Sequence, residues 1–240
     1  MSPQATSSPA LAGPPAAAGA RKRPSQGELV QRALDRLPPS HRFPLVDIGV
    51  NLMDKSFDKD REAVLERAQL AGCTVSVITG SCLRTTAAAA AFIDKYAGPH
   101  QLYFTAGVHP HNAKHCTAST LAELERLARH PRCVAIGECG LDFNRNFSPP
   151  EVQERWFGEQ VALAERLGMP LFVHCREAYP QLAAVLRQHH QGVSVVVHCF
   201  TGAKEDLQQL LCLGFSIGIT GWGSCHAAGG GSEPFASARN

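Results

Sequence analysis

The sequence contains no uninterrupted run of about eighteen apolar residues, so a transmembrane helix and a membrane partner are not expected. It also lacks a strong charge of either sign, since 23 basic residues face 21 acidic ones for a formal net charge of +2. Without a global field, any contact with a phosphate backbone must rest on a local patch or a metal. A secretory signal is missing too: the cluster Arg21-Lys22-Arg23 follows the small residues of the opening stretch instead of preceding an apolar core. Residues 1–40 contain no acid before Glu28 and are rich in Pro, Ala and Ser, which reads as a disordered or targeting-like extension. Nine cysteines do not make a disulfide framework, because the count is odd and Cys73, Cys133, Cys175, Cys199 and Cys212 lie in or beside apolar runs. Buried thiols in a reducing compartment are expected instead, which places the chain in the cytoplasm or nucleus, with an organelle as the alternative.

The remainder is rhythmic. FPLVDIGV at 43–50 reads as a buried strand, followed by a helix over 58–71, a strand over 74–80, a helix over 85–97 and a strand over 102–108. STLAELERLARH reads as a helix capped by Ser119 or Thr120. CVAIGE is a strand leading into a loop at 139–149, and Pro150 opens the next helix. MPLFVHC, SVVVHCF and FSIGIT supply the last three strands, with helices between them. Apolar strands alternating with helices predict an α/β fold with a parallel sheet. A TIM-type (β/α) barrel with about seven of its eight strands fits best. The domain is expected over 41–222, followed by an irregular Gly-rich tail over 223–240, with five glycines after Thr220. A barrel without its eighth strand leaves edges at strands one and seven.

Three apolar runs end in a side chain able to bind a metal: Glu138 in CVAIGECGLDF, His174 in MPLFVHCRE and His198 in SVVVHCFTG. A carboxylate buried at a strand end needs a partner or a cation, and two neutral imidazoles on the next strands would complete a metal site. Cys139, Cys175 and Cys199 each follow one of these residues and should point to the opposite face. His109 and His111 flank Pro110, a spacing that lets both rings converge on one anion or metal. Arg145 and Arg176 offer planar forks for a phosphate, and Asp142 on the loop can orient a site histidine or arginine. Asp47 and Asn51 at the first strand are weaker candidates. Divalent ions with histidines and arginines suit hydrolysis of a phosphodiester, although spacing alone leaves amides and lactones open.

In family order, the blocks FPLVDIGVNL, TAGVHPH, VAIGECGLDFNRNFSPPEVQERWF, MPLFVHCRE, VVVHCFTG and GFSIGITGW resemble the TatD-type DNases, a branch of the amidohydrolase-like TIM barrels. The resemblance runs from about Phe43 to Trp222. It implies a single-domain metal-dependent nuclease, a 3′-to-5′ exonuclease on single-stranded DNA, with RNA as a further substrate; a monomer is expected. It also implies a two-metal site using Mg2+ or Mn2+, with Zn2+ as the alternative. By resemblance, Glu138 is the bridging carboxylate, His174 and His198 serve the second metal, and His111 and Arg176 lie near the phosphate.

Two departures stand out. Gly49-Val50-Asn51 occupies the place where many members carry a His-x-His pair, and no Glu-Thr-Asp-Ala-Pro block follows the seventh strand. The expectation is therefore a family nuclease whose activity is reduced or lost by truncation. A metal-dependent hydrolase of another substrate class and a non-catalytic truncated form are the alternatives.

Overall fold

A computed structural model of the chain describes residues 44–220. The expected extension over 1–40 and the Gly-rich tail over 223–240 lie outside the described residues. Seven strands, β1 (Leu45–Val50), β2 (Cys73–Ile78), β3 (Gln101–Ala106), β4 (Cys133–Asp142), β5 (Leu171–Arg176), β6 (Val195–His198) and β7 (Ser216–Ile217), pair in parallel and in sequence order. The crossovers carry helices α1 (Arg61–Leu70), α2 (Leu83–Lys95), α3 (Thr120–Ala128), α4 (Pro150–Leu167), α5 (Tyr179–His189) and α6 (Lys204–Cys212). The result is seven strands of a (β/α) barrel, in which β1 and β7 are each paired on one side only among the described residues.

The longest helix shows how sequence builds this architecture. Pro150 sits in the first turn of α4, where its missing N–H removes no intrahelical bond. Gly168 closes the helix in the left-handed conformation, at φ 64°. Between these ends, Gln153, Trp156, Phe157, Gln160, Val161 and Ala164 recur at helical spacing and are all buried. That stripe packs against β4, whose Ile136 and Leu141 are fully buried in the core with Leu171 and Val173 of β5. Burying such side chains contributes about 1.5–3 kcal/mol each.

Several expectations need correction. The first strand is exposed, not buried: Leu45, Val46 and Ile48 are 56%, 55% and 45% exposed. No described element covers that end of the sheet, so its apolar residues face outward. The fourth strand does not stop at Glu138 but continues through Asp142, with Gly140 opposite His174 and Asp142 opposite Arg176. Gly140 allows this extension, because a Cβ there would run into the backbone carbonyl of His174 and the residue has φ 135°. Helix α3 begins at Thr120 without a side-chain cap from Ser119; Thr120 Oγ1 instead accepts the Thr117 N–H at 2.9 Å. The His109-Pro110-His111 turn extends into a short 3-10 helix over Pro110–His115. Finally, Cys212 is exposed: it is the last residue of α6, a helix in which only Leu210 is buried.

Candidate metal and phosphate site

Glu138 owes its position to an irregularity in β4. Gly137 pairs with Phe172 and Cys139 with Val173, so Glu138 is the extra residue of a bulge. A bulge re-aims the side chain of the inserted residue. The Glu138 N–H donates instead to the Gly80 carbonyl at 2.8 Å, so the irregularity leaves no orphan donor. On the neighbouring strands His174 and His198 face each other directly in register. Backbone pairing alone therefore brings both rings to the same end of the sheet as the Glu138 carboxylate.

A single oxygen organises the cluster. Glu138 Oε1 lies 2.7 Å from His198 Nε2, 3.2 Å from His174 Nδ1 and 3.6 Å from His109 Nε2. Asp142 Oδ2 is 2.7 Å from His111 Nε2 and 3.4 Å from His174 Nε2. His174 thus spans both carboxylates, but its buried Nε2 lacks the alignment of a hydrogen bond to any partner. His109 and His111 diverge, one to Glu138 and the other to Asp142, with ring centroids 4.3 Å apart. The donor atoms of His109, Glu138 and His174 all lie within 4.8 Å of one another, close enough to share one ion.

The electrostatics keep both carboxylates ionised. Burial opposes ionisation of Glu138, yet hydrogen bonds with His174 and His198 outweigh it and hold the carboxyl well below its usual range. Asp142 behaves likewise: burial is outweighed by His174, by the Arg145 N–H and by His111. Burial lowers the pKa of His109 to about 3 despite the nearby Glu138, leaving a neutral imidazole near pH 7 whose Nδ1 accepts the His111 N–H at 3.1 Å. Burial also disfavours charge on His174, but Asp142 and Glu138 raise its pKa to about 9. Cys139 and Cys175 are buried away from the cluster, and burial pushes both thiols up, so they remain protonated.

The other candidates surround this core. A cavity of about 770 Å3 opens beside it, and Glu138, His109, His111, Asp47, Asn51 and Arg84 are among the residues that line it. Asp47 is exposed and accepts the Gly49 N–H at 3.0 Å; Asn51 is also exposed. Arg145 is exposed on the loop after β4, where its N–H donates to Asp142 Oδ1 at 2.9 Å. Arg176 ends β5 half-buried beside Asp142. Glu177 and Cys199, which follow β5 and β6, and Asn146 after β4 have φ of 53°, 47° and 49°. Left-handed backbone at three non-glycine residues marks these loops as held in place by their surroundings.

Gln153 and Gln160 on α4 were not expected to take part. Gln153 accepts the Asp142 N–H at 2.8 Å and donates to the carbonyls of Asp142 and Ser148. Gln160 likewise brackets Val108, just ahead of His109. Their signal in the sequence is two polar residues seven apart on an otherwise apolar stripe. Gln153→Ala should lower unfolding stability by roughly 2–4 kcal/mol, because it strips partners from buried backbone groups. A urea melt measures this, and a loss within error would show that water replaces the amide.

Parallel strands in sequence order, with carboxylates and imidazoles gathered at their carboxyl ends, define a (β/α)-barrel protein of the metal-dependent hydrolase type. The chain belongs to the TatD related DNase family, whose model matches residues 46–233. A protein of Musicola paradisiaca named 3′-5′ ssDNA/RNA exonuclease TatD is 46% identical over 179 residues, covering 74% of this chain and 67% of the relative. A protein of the same name from a Rahnella species is 48% identical over the same length. Among solved structures, a TatD family hydrolase of Entamoeba histolytica superposes with TM-score 0.70 at 33% identity, covering 74% of this chain and 65% of that one. The TatD homolog YJJV of Escherichia coli also gives TM-score 0.70, at 30% identity, covering 78% and 71%. The chain spans about two thirds of the length of these relatives. No described helix is long and apolar enough to cross a membrane.

Proposed function

We propose that the chain hydrolyses phosphodiester bonds in single-stranded DNA or RNA, removing nucleotides from the 3′ end, with a divalent metal in the cluster around Glu138. The observation that carries this reading is the convergence of His109, His174 and His198 on one Glu138 oxygen, with Asp142 behind His174. The names of the relatives in Musicola and Rahnella support the substrate class.

The residues fit a divalent ion. His174 has a buried nitrogen without a hydrogen bond, and Glu138 carries a charge that only imidazoles offset. Glu138, His109 and His174 would hold one ion, while His198, on the same carboxylate, and Asp142 are placed to serve a second. An imidazole-rich set with two carboxylates favours Mn2+ or Zn2+ over Mg2+. When bound, such ions lower the pKa of water and offset charge on the phosphoryl oxygens. Asp142 fixes His111 through Nε2, which leaves His111 Nδ1 to exchange a proton with the substrate at the cavity wall. Arg84, which also lines the cavity, supplies positive charge for the phosphate.

The test uses the purified chain with Mn2+ and a single-stranded oligonucleotide labelled at its 5′ end. Stepwise shortening from the 3′ end, abolished by EDTA and restored by Mn2+, is expected. Intact oligonucleotide together with hydrolysis of small amides or lactones would overturn the proposal in favour of another substrate class.

A further inference from the structure

Phe147 is an exposed aromatic ring on a fixed loop at the rim of the site. The residue is 52% exposed, although the loop residue that follows it, Ser148, is fully buried. The backbone around it is pinned from several sides. Asp142 Oδ1 accepts the N–H groups of Asn144 and Arg145, and the Asn146 side-chain amide donates to the Phe143 carbonyl at 2.7 Å. Ser148 Oγ donates to the His111 carbonyl and accepts the Lys114 N–H, both at 3.1 Å. The Asn144 side chain reaches across to Glu177 at 2.6 Å, tying this loop to the one after β5. The other large apolar side chain of this loop, Phe143, packs against the core, whereas Phe147 is presented to solvent.

The ring also has a definite neighbour. Phe147 meets His111 with centroids 4.7 Å apart and planes at 83°. A perpendicular imidazole can cover no more than one face of the phenyl ring, so a flat face remains available. His111 in turn hydrogen-bonds to Asp142 and lines the cavity. An available aromatic face in contact with a histidine that lines the cavity matches a nucleobase, which stacks without regard to base identity. In a duplex both faces of a base are already stacked on neighbours, so a ring of this kind favours unpaired strands.

Resting on the nuclease reading above, we infer that Phe147 is the platform on which one base adjacent to the scissile phosphate stacks. It makes the site select single-stranded nucleic acid. Phe147 here binds substrate, and the loop pinned by Asp142, Asn146 and Ser148 positions it.

The experiment measures binding of the full chain to a fluorescent single-stranded oligonucleotide, in Ca2+ to limit turnover, and to a series of the same strand with one abasic position moved along it. Phe147→Ala should weaken binding about ten-fold or more, and Phe147→Trp should restore it. At one position near the 3′ end, the abasic substitution should weaken wild-type binding but leave Phe147→Ala unaffected, because the two changes remove the same contact. A structural role for Phe147 would give additive losses at every position and no rescue by Trp. Equal affinity of wild type and Phe147→Ala, or additive losses throughout, would overturn the stacking inference while leaving the nuclease reading intact. Failure of the wild type to bind or shorten any oligonucleotide would overturn the nuclease reading itself. Circular dichroism of each variant confirms that the fold is retained.

Discussion

Glu138→Ala should abolish divalent-ion binding by the chain. Among the described residues, Glu138 Oε1 is met by three imidazoles, and no other carboxylate lies within the close group of donors. Partners that merely orient a ligand typically contribute 10- to 100-fold to metal affinity, so removing the carboxylate itself should weaken binding by roughly a hundred-fold or more. The loss also leaves His174 without one of the two carboxylates that stabilise its charge, and the remaining rings crowd one another near 4.5 Å. Glu138→Gln preserves the shape and should show nearly the same loss, which separates charge from packing. Metal content of dialysed protein, measured by mass spectrometry, provides the readout. Unchanged stoichiometry in both variants would place the ion elsewhere.

Gly140→Ala should be strongly destabilising. The added Cβ would collide with the backbone carbonyl of His174 on the adjacent strand, and Gly140 has φ 135°, where L side chains are strained. Neither β4 nor β5 is free to swing aside, because β4 packs against α4 and β5 is paired on both sides, to β4 and to β6. A loss of roughly 3 kcal/mol or more is expected, a large share of the stability of an ordinary domain. Gly168→Ala serves as a control: that glycine also has positive φ, at 64°, but nothing lies within 4 Å of its Cβ position. It should lose only about 1 kcal/mol. Similar urea midpoints for the two variants would show that the spacing between β4 and β5 relaxes.

How much of this was readable beforehand depends on the kind of interaction. His174 and His198 were legible because a strand end is marked by where an apolar run stops, and both runs stop there. Their facing register follows from parallel pairing. The alternation rule also placed Cys139 and Cys175 away from the site, as observed. The bulge at Glu138 was not legible, since nothing in a run of residues shows that one of them lacks a partner across the ladder. The same gap hid the continuation of β4 to Asp142, which depends on Gly140 passing close to His174. Gln153 was overlooked because an isolated glutamine on a helix is ordinarily solvated, and only the packing of α4 on β4 buries it. The exposure of β1 has a similar origin: FPLVDIGV is apolar enough for a covered strand, but coverage is supplied by neighbours and not by composition.

The serial strand order bears on how the chain comes off the ribosome. Each strand pairs with the one made just before it, so the sheet can grow as synthesis proceeds, from the amino end. The charge balance of the site does not grow at the same pace. Glu138 is completed early, yet its shortest contact is to His198, sixty residues later. A nascent chain that has docked β5 but not yet made β6 holds a desolvated carboxylate lacking its closest imidazole, an uncompensated state that water must relieve. The last strands therefore do more than extend the sheet. They are the step at which the emerging protein can close around its own negative charge.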